Sequence, residues 1–240
     1  MTPHLFYTVV CLCLCGFELD AQYSSEDNIF TRRQYMEREV NIAEEGIAAY
    51  NKLIGIAGGD SVRLDHLGKK AEGWVEDHYM NGKTMHKGFY KMGQLTMFRN
   101  FFENGNCERN FTTENPLQYK IEFYYANGNL RKSVEYFDGK PRKVREYYEN
   151  GNPKSCIEFD KEQEQLISKK TWFNNGSMES EVKLTDKNAL RYNEKHYYSS
   201  GVLKEEGSLV YSKTKKDFVK YGTWLSYETN GRQKQLVKHH

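Results

Sequence analysis

Paired aromatic residues followed by Asn-Gly recur along the last two-thirds of the chain. Well-formed copies run from Tyr124 to Gly128 and from Tyr147 to Gly151. Counting weaker copies, the glycines of the motif stand at positions 82, 105, 128, 151, 176, 201 and 231. A motif that returns every 23 to 30 residues indicates a tandem repeat, in which each copy is one small structural unit.

Apolar and polar positions alternate after each of these glycines. The second, sixth and eighth residues are mostly apolar, as at Leu130, Val134 and Tyr136, whereas the third is mostly charged, as at Arg131. This period of two is typical of a β-strand with one buried face and one solvated face.

Two turns divide each repeat into a pair of strands. Asn-Gly favours a type I′ turn, which needs positive φ at both central residues. A second turn lies about eleven residues later, at Asp138-Gly139 and at Met92-Gly93. The pattern therefore predicts an all-β repeat domain over residues 73–240, an elongated meandering antiparallel sheet of stacked β-hairpins.

Residues 22–72, before the repeats, are predicted to form a helical cap or linker. Within 25–58 an apolar stripe with steps of three and four residues predicts one amphipathic helix that stops near Gly58-Gly59. Two roles stay open for it: dimerisation, or covering the otherwise exposed first edge of the sheet. The stripe consists of Met36, Val40, Ala43, Ile47, Tyr50 and Ile54.

The first 21 residues read as a signal peptide. Leu5 to Phe17 is apolar but too short to span a bilayer comfortably. Small Ala21 before Gln22 resembles a signal-peptidase cleavage site. We therefore expect an exported protein, located in the periplasm, in the outer envelope or outside the cell.

Composition adds limits on partners and on cross-links. The net charge is only +2, so nothing points to nucleic acid. After removal of the signal peptide the thiols of Cys107 and Cys156 remain. About two repeats separate them, well beyond disulfide reach in a sheet of this kind, so we predict two half-buried free thiols.

The tandem Tyr-Tyr-x-Asn-Gly units resemble the MORN-repeat variant of bacteria, found in YwqK-like proteins that are often labelled antitoxins. Gly222-Thr223-Trp224 is similar to the Gly-x-Trp piece of ordinary MORN repeats. The resemblance spans residues 73 to 240 and implies the hairpin fold but no shared catalytic residues. It also implies two alternatives to a scaffolding role: contact with a lipid membrane, and antitoxin-like binding of a partner protein.

No catalytic signature is present, so we predict a protein that is not an enzyme and uses no cofactor. The glycines between Gly55 and Gly59 fit a helix C-cap better than a phosphate loop. His78 and His86 flank the Asn81-Gly82 turn and could approach each other. A metal site would need a third ligand, so both are interpreted as surface histidines.

The aromatic pairs supply the candidate binding residues. Neighbouring strand residues point to opposite faces, so each pair would place one ring on each face of the sheet. These rings either stack across strands to stabilise a thin sheet or form a surface for a protein, peptide or glycan. A protein partner is the leading expectation, a membrane surface the second, and the oligomeric state stays open. The candidate partner-binding residues are Phe102, Tyr125, Tyr148, Phe173 and Tyr198.

Overall fold

The computed structural model describes residues 38–40, 42–162 and 165–239. The predicted signal peptide and the first residue of the apolar stripe, Met36, lie outside the described residues. The repeats form a single open sheet of 14 antiparallel strands, and each strand pairs only with its neighbours in sequence. The predicted meander of stacked β-hairpins is thus confirmed.

The sheet begins at β3 (Gly73–His78) and ends at β16 (Gln233–His239). The strands between them are β4 (Thr84–Lys91), β5 (Gln94–Phe101), β6 (Cys107–Asn115), β7 (Gln118–Tyr124), β8 (Leu130–Phe137), β9 (Lys140–Tyr147), β10 (Pro153–Phe159), β11 (Leu166–Trp172), β12 (Met178–Asp186), β13 (Arg191–Tyr197), β14 (Leu203–Ser212) and β15 (Asp217–Tyr227).

The segment before the sheet is not one long helix, and that prediction is wrong for its described part. Gly46 has φ of +61°, a left-handed conformation that ends an α-helix. Gly58, at φ +89°, caps the last short helix as predicted. In chain order the segment contains β1 (Arg38–Glu39), helix α1 (Ile42–Glu45), 3₁₀ helices η1 (Gly46–Leu53) and η2 (Gly55–Ala57), and β2 (Ser61–Val62), which pairs with β1 in parallel.

This segment packs on one face of the sheet, which we call the inner face. Tyr50 and Leu53 of η1 are fully buried against side chains of β4 to β7, among them Phe98 and Phe111. The described part of the segment does not cover the first edge of the sheet, because none of its residues pairs as a strand beyond β3. Covering a face instead buries the aromatic side chains that the first repeats present.

A second core lies on the inner face near the other end of the sheet. Trp224 is its largest member, and its indole ring lies over Gly207 on the neighbouring strand. A Cβ at Gly207 would come within 2.3 Å of that ring. The buried members are Val182, Tyr192, Leu209 and Trp224.

The two turn types lie at opposite ends of the strands, and therefore on opposite sides of the sheet. We call the side that carries the Asn-Gly turns the Asn-Gly edge. Met92-Gly93 and Asp138-Gly139 have positive φ at both residues, as a type I′ turn requires. At the Asn-Gly motif of Gly105 only the glycine has positive φ, and its N–H donates to the carbonyl of Phe102. These are three-residue loops, a type I turn followed by a left-handed glycine, so the type I′ prediction is wrong at Asn-Gly.

Cys107 and Cys156, the two cysteines among the described residues, match the prediction. Cys107 and Cys156 are free and half-buried. Burial raises the pKa of both thiols above the ordinary value, so neither is activated as a nucleophile.

Candidate interaction surface

The predicted partner-binding aromatics lie at the Asn-Gly edge, where three of them connect successive repeats. The hydroxyl of Tyr125 donates to the carbonyl of Tyr147 at 2.9 Å, and that of Tyr148 to the carbonyl of Trp172 at 2.8 Å. Tyr198 does the same to the carbonyl of Tyr227 at 2.9 Å. Phe102 and Phe173 lack the hydroxyl, and all five side chains are half-buried.

The asparagines of the motif bind the repeats together at the same edge. The side-chain oxygen of Asn127 accepts from the N–H of Asn129 at 2.9 Å, which holds the turn closed. The side-chain NH₂ groups of Asn127 and Asn129 both donate to the carbonyl of Glu149 in the next repeat. The Asn-Gly edge is therefore a ladder of hydrogen bonds between repeats, which gives its side chains a structural role.

The inner face carries an apolar row that crosses the sheet. The row is formed by the residue seven positions before each motif glycine and the residue six positions after it, because these two pair across the strands. Val134 lies opposite Val144, which lies opposite Ile157. Charged side chains interrupt the row at Lys169 and Glu194, on either side of Val182.

A polar row runs beside the apolar row and crosses all 14 strands. It contains the residues five before and four after each motif glycine, and it is continuous from Asp77 on β3 to Gln235 on β16. Phe123 is its one apolar member. In strand order its members are Asp77, His86, Asn100, Arg109, Phe123, Lys132, Glu146, Ser155, Thr171, Ser180, His196, Glu205, Ser226 and Gln235.

The first members of the polar row anchor the N-terminal segment. The hydroxyl of Tyr50 donates to Asp77 at 2.6 Å, and Arg63 forms a bidentate ion pair with the same carboxylate at 2.6 and 2.7 Å. Burial disfavours the charged form of Asp77, but these hydrogen bonds outweigh it and hold its pKa below the ordinary value. Asn51 accepts a hydrogen bond from Arg109 further along the row.

His86 is not a surface residue, and that interpretation is wrong. Its side chain is fully buried in the polar row, with Nδ1 2.7 Å from the side-chain oxygen of Asn100 and Nε2 3.1 Å from the hydroxyl of Tyr90. Burial lowers the pKa of His86 to about 4, which keeps the ring neutral at pH 7. His78 pairs with Thr84 and is exposed as expected, so the two histidines do not meet.

Beyond β8 no described segment covers the inner face. We define the central inner face as the inner positions of β9, β10 and β11, between the two cores: Val144, Glu146, Ser155, Ile157, Lys169 and Thr171. All six side chains are partly exposed. They repeat the arrangement found under the N-terminal segment, an apolar row beside a polar row.

Charged groups border the central inner face on both sides. Lys132 Nζ lies 3.3 Å from Glu146 on one side. On the other side His196 Nε2 lies 3.0 Å from Glu194, and this contact raises the pKa of His196 against the opposing effect of burial. The central inner face therefore offers an apolar strip with fixed charges of both signs at its borders.

The outer face, opposite the inner one, carries paired charges. Arg145 contacts Glu135 at 2.6 Å and Lys170 contacts Glu181 at 3.1 Å. Each of these cross-strand pairs brings two opposite charges together and stabilises the pairing of its strands.

The alignment on the motif glycine contains the signal for the polar row. The fourth position after that glycine faces inward, because it has the same parity as the apolar second, sixth and eighth positions. Nevertheless it is occupied by His86, Arg109, Lys132, Ser155, Ser180, Glu205 and Gln235. The polar row could have been predicted from this observation, because a polar residue occupies the same inward position in every repeat.

The described residues contain neither a cluster of metal ligands nor a membrane-spanning helix. No group of three or more His, Cys, Asp or Glu side chains there could hold a metal ion. No helix in the described part of the chain is long and apolar enough to cross a membrane.

Three segments match the family model described as MORN repeat variant, at residues 120–138, 143–161 and 193–210. They contain the motif glycines Gly128, Gly151 and Gly201. These three segments are similar to MORN-variant repeats. MORN repeats generally serve as binding modules, and the sheet described above is compatible with such a role. A search of the curated proteins gave no match.

Solved structures similar to this chain include TarM of S. aureus, as a mutant in complex with Fondaparinux, alpha-GlcNAc-glycerol and UDP. That match has a TM-score of 0.29 and 10% identity over 64% of this chain and 24% of TarM. A second TarM structure gives 0.29 and 11% over 65% and 25%. The complex TcdB2-TccC3-Cdc42 gives 0.22 and 9% over 69% and 11%. The chain spans about a quarter or less of these proteins, and likeness at this level carries no functional argument.

Proposed function

We propose that this protein is a non-catalytic binding module whose central inner face holds a segment of a partner protein. The observation that carries the proposal is the N-terminal segment, which already binds the first part of the inner face. There Tyr50 and Leu53 are buried over aromatic side chains, while Tyr50 and Asn51 bond to the polar row. The same two rows continue without a cover across β9 to β11.

The chemistry of the central inner face describes the partner segment. Val144 and Ile157 offer an apolar strip, which calls for one or two apolar side chains on the partner. Lys169 on β11 and Glu194 on β13 interrupt the apolar row with opposite charges, two strand spacings apart. The segment should therefore carry an acidic and a basic group about 10 Å apart. Such a segment belongs to a protein, and antitoxin-like binding of a partner would be one form of this role.

Adjacent lysines on β11 provide a matched test. Lys169 lies on the inner face and Lys170 on the outer face, so Lys169→Glu and Lys170→Glu make the same charge change on opposite sides. The mature wild-type protein and both variants are immobilised, exposed to envelope extract, and the captured proteins are quantified by mass spectrometry. We expect K169E to lose at least one protein that wild type and K170E retain. Equal capture by all three, or loss only with K170E, would contradict the proposal.

We also propose that the protein is exported before it binds. The support is the apolar stretch from Leu5 to Phe17 followed by Ala21-Gln22. Mass spectrometry of the native protein should find an N-terminus at Gln22 and no peptide that begins at Met1. A soluble cytosolic form with Met1 intact would overturn this part of the proposal.

A further inference from the structure

Within the part of the chain that the structure describes, both ends of the sheet present an open strand edge. Among the described residues β3 pairs only with β4, and β16 only with β15. Each edge strand also exposes large apolar side chains: Trp74 on β3 is 58% exposed, and Leu236 and Val237 on β16 are 51% and 38% exposed. Unpaired backbone groups beside exposed apolar residues favour addition of a further strand.

The direction of the two edges suits pairing between copies. Strands alternate in direction through the sheet, so β3 runs antiparallel to β16 as β15 does. In the regular strand pairs, the residue six after one motif glycine lies opposite the residue seven before the next, as with Val134 and Val144. Applied across two copies, this rule places Val237 opposite Val75.

The same register continues both rows of the inner face. The polar row would pass from Gln235 to Asp77 of the second copy, and the apolar row from Val237 to Val75. On the outer face Lys238 would lie opposite Trp74. Lys87, on the far side of that ring, already contacts it, with Nζ 6.0 Å from the centroid.

Charge favours unlike edges and disfavours like edges. Glu76 points outward from β3, and in this register Lys234 and Lys238 would lie diagonal to it on either side. Two β16 strands would instead bring their lysines together, and two β3 strands their glutamates. Like charges across strands are destabilising, so the edges discriminate against self-pairing of the same strand.

We propose that the protein associates head to tail, with β16 of one copy adding to β3 of a second copy. Because each copy keeps one free edge of each kind, the contact is heterologous and can repeat into an open chain. This inference rests on the sheet edges alone and does not depend on the central inner face binding a partner.

The test is sedimentation velocity of the mature protein over a range of concentrations. Wild type should shift to faster-sedimenting species as concentration rises, and 1 M salt should weaken the shift. Glu76→Lys and the double variant Lys234→Glu/Lys238→Glu should each reduce association at least tenfold. Lys183→Glu, an exposed lysine in the middle of the sheet, is the charge-matched control and should associate like wild type.

Mixing the two edge variants is the decisive step. An equimolar mixture of E76K with K234E/K238E restores opposite charges at every contact, so association should return to near the wild-type level. A wild-type protein that stays monomeric at the highest concentration would overturn the proposal. So would edge variants that associate like K183E, or a mixture that stays as dissociated as its components. Circular dichroism confirms that each variant is folded before it is compared.

Discussion

The phenol ring of Tyr50 stacks on the imidazole of His86, with ring centroids 3.7 Å apart and planes 7° apart. Tyr50 belongs to the segment that precedes the repeats, and His86 lies on β4, the second strand of the sheet. Both side chains are fully buried. This contact and the adjacent Tyr50–Asp77 hydrogen bond couple the N-terminal segment to the sheet.

Removing the imidazole should therefore destabilise the protein. We expect His86→Ala to lower the free energy of unfolding by about 2–4 kcal/mol, because it leaves a cavity and takes a partner from buried Asn100. His78→Ala removes an exposed ring and should change stability by less than about 0.5 kcal/mol. Urea unfolding of both variants measures the difference. Equal stability of the two would mean that the stack contributes nothing.

His86 should also make stability depend on pH. Its pKa is about 4 in the folded protein against 6.5 for a free histidine, so only the unfolded chain takes up a proton between these values. The stabilisation is complete above pH 6.5 and is lost as the pH falls toward 4, by up to about 3 kcal/mol.

Unfolding midpoints from pH 7.5 to 4 should fall steeply in wild type and less in His86→Phe, which cannot take the proton. His196→Gln is the control, because the raised pKa of His196 acts with the opposite sign: its stabilisation is present at low pH and fades as the pH rises through that pKa. If the unfolding midpoint of H86F falls with pH as steeply as that of wild type, groups other than His86 cause the acid sensitivity.

The motif glycines should be sensitive to a side chain for conformational reasons. Gly128 has φ of +91°, and a Cβ there would meet no atom closer than 3.7 Å. Gly128→Val should therefore cost about 1–3 kcal/mol from backbone strain alone. Gly128→Asn should cost less, since Asn tolerates positive φ better. Thermal melts that rank Val no worse than Asn would contradict this description of the turn.

The tyrosines of the Asn-Gly edge should affect stability and leave partner capture unchanged. Tyr148→Phe removes the hydroxyl that bonds to Trp172 and should lower stability by about 0.5–1.5 kcal/mol. Extending the change to Tyr125 and Tyr198 should add a similar loss at each site. If the triple variant melts like wild type but captures fewer proteins, these residues bind the partner, as the aromatic pairs first suggested.

The fold could be predicted because every repeat carries the same sequence signals for a β-hairpin. The motif glycine, the parity of apolar positions and the turn near Asp138 all point to the same hairpin. The N-terminal segment occurs once, and its apolar stripe suggested a helix that Gly46 interrupts. The site was harder to predict, since a tyrosine beside Asn-Gly looks exposed until the next repeat supplies the carbonyl that its hydroxyl binds. His86 looked exposed for the same reason, because its burial depends on Tyr50, 36 residues earlier.

The central claim, that the central inner face binds a partner protein, is tested most directly by photo-cross-linking at two adjacent positions of β10. A benzophenone side chain replaces Ile157, on the inner face, or Cys156, on the outer face, and cells producing the full-length protein are irradiated. We predict that position 157 cross-links to a discrete partner, that K169E suppresses this product, and that position 156 does not form it. The same product from both positions, or from position 156 alone, would contradict the account.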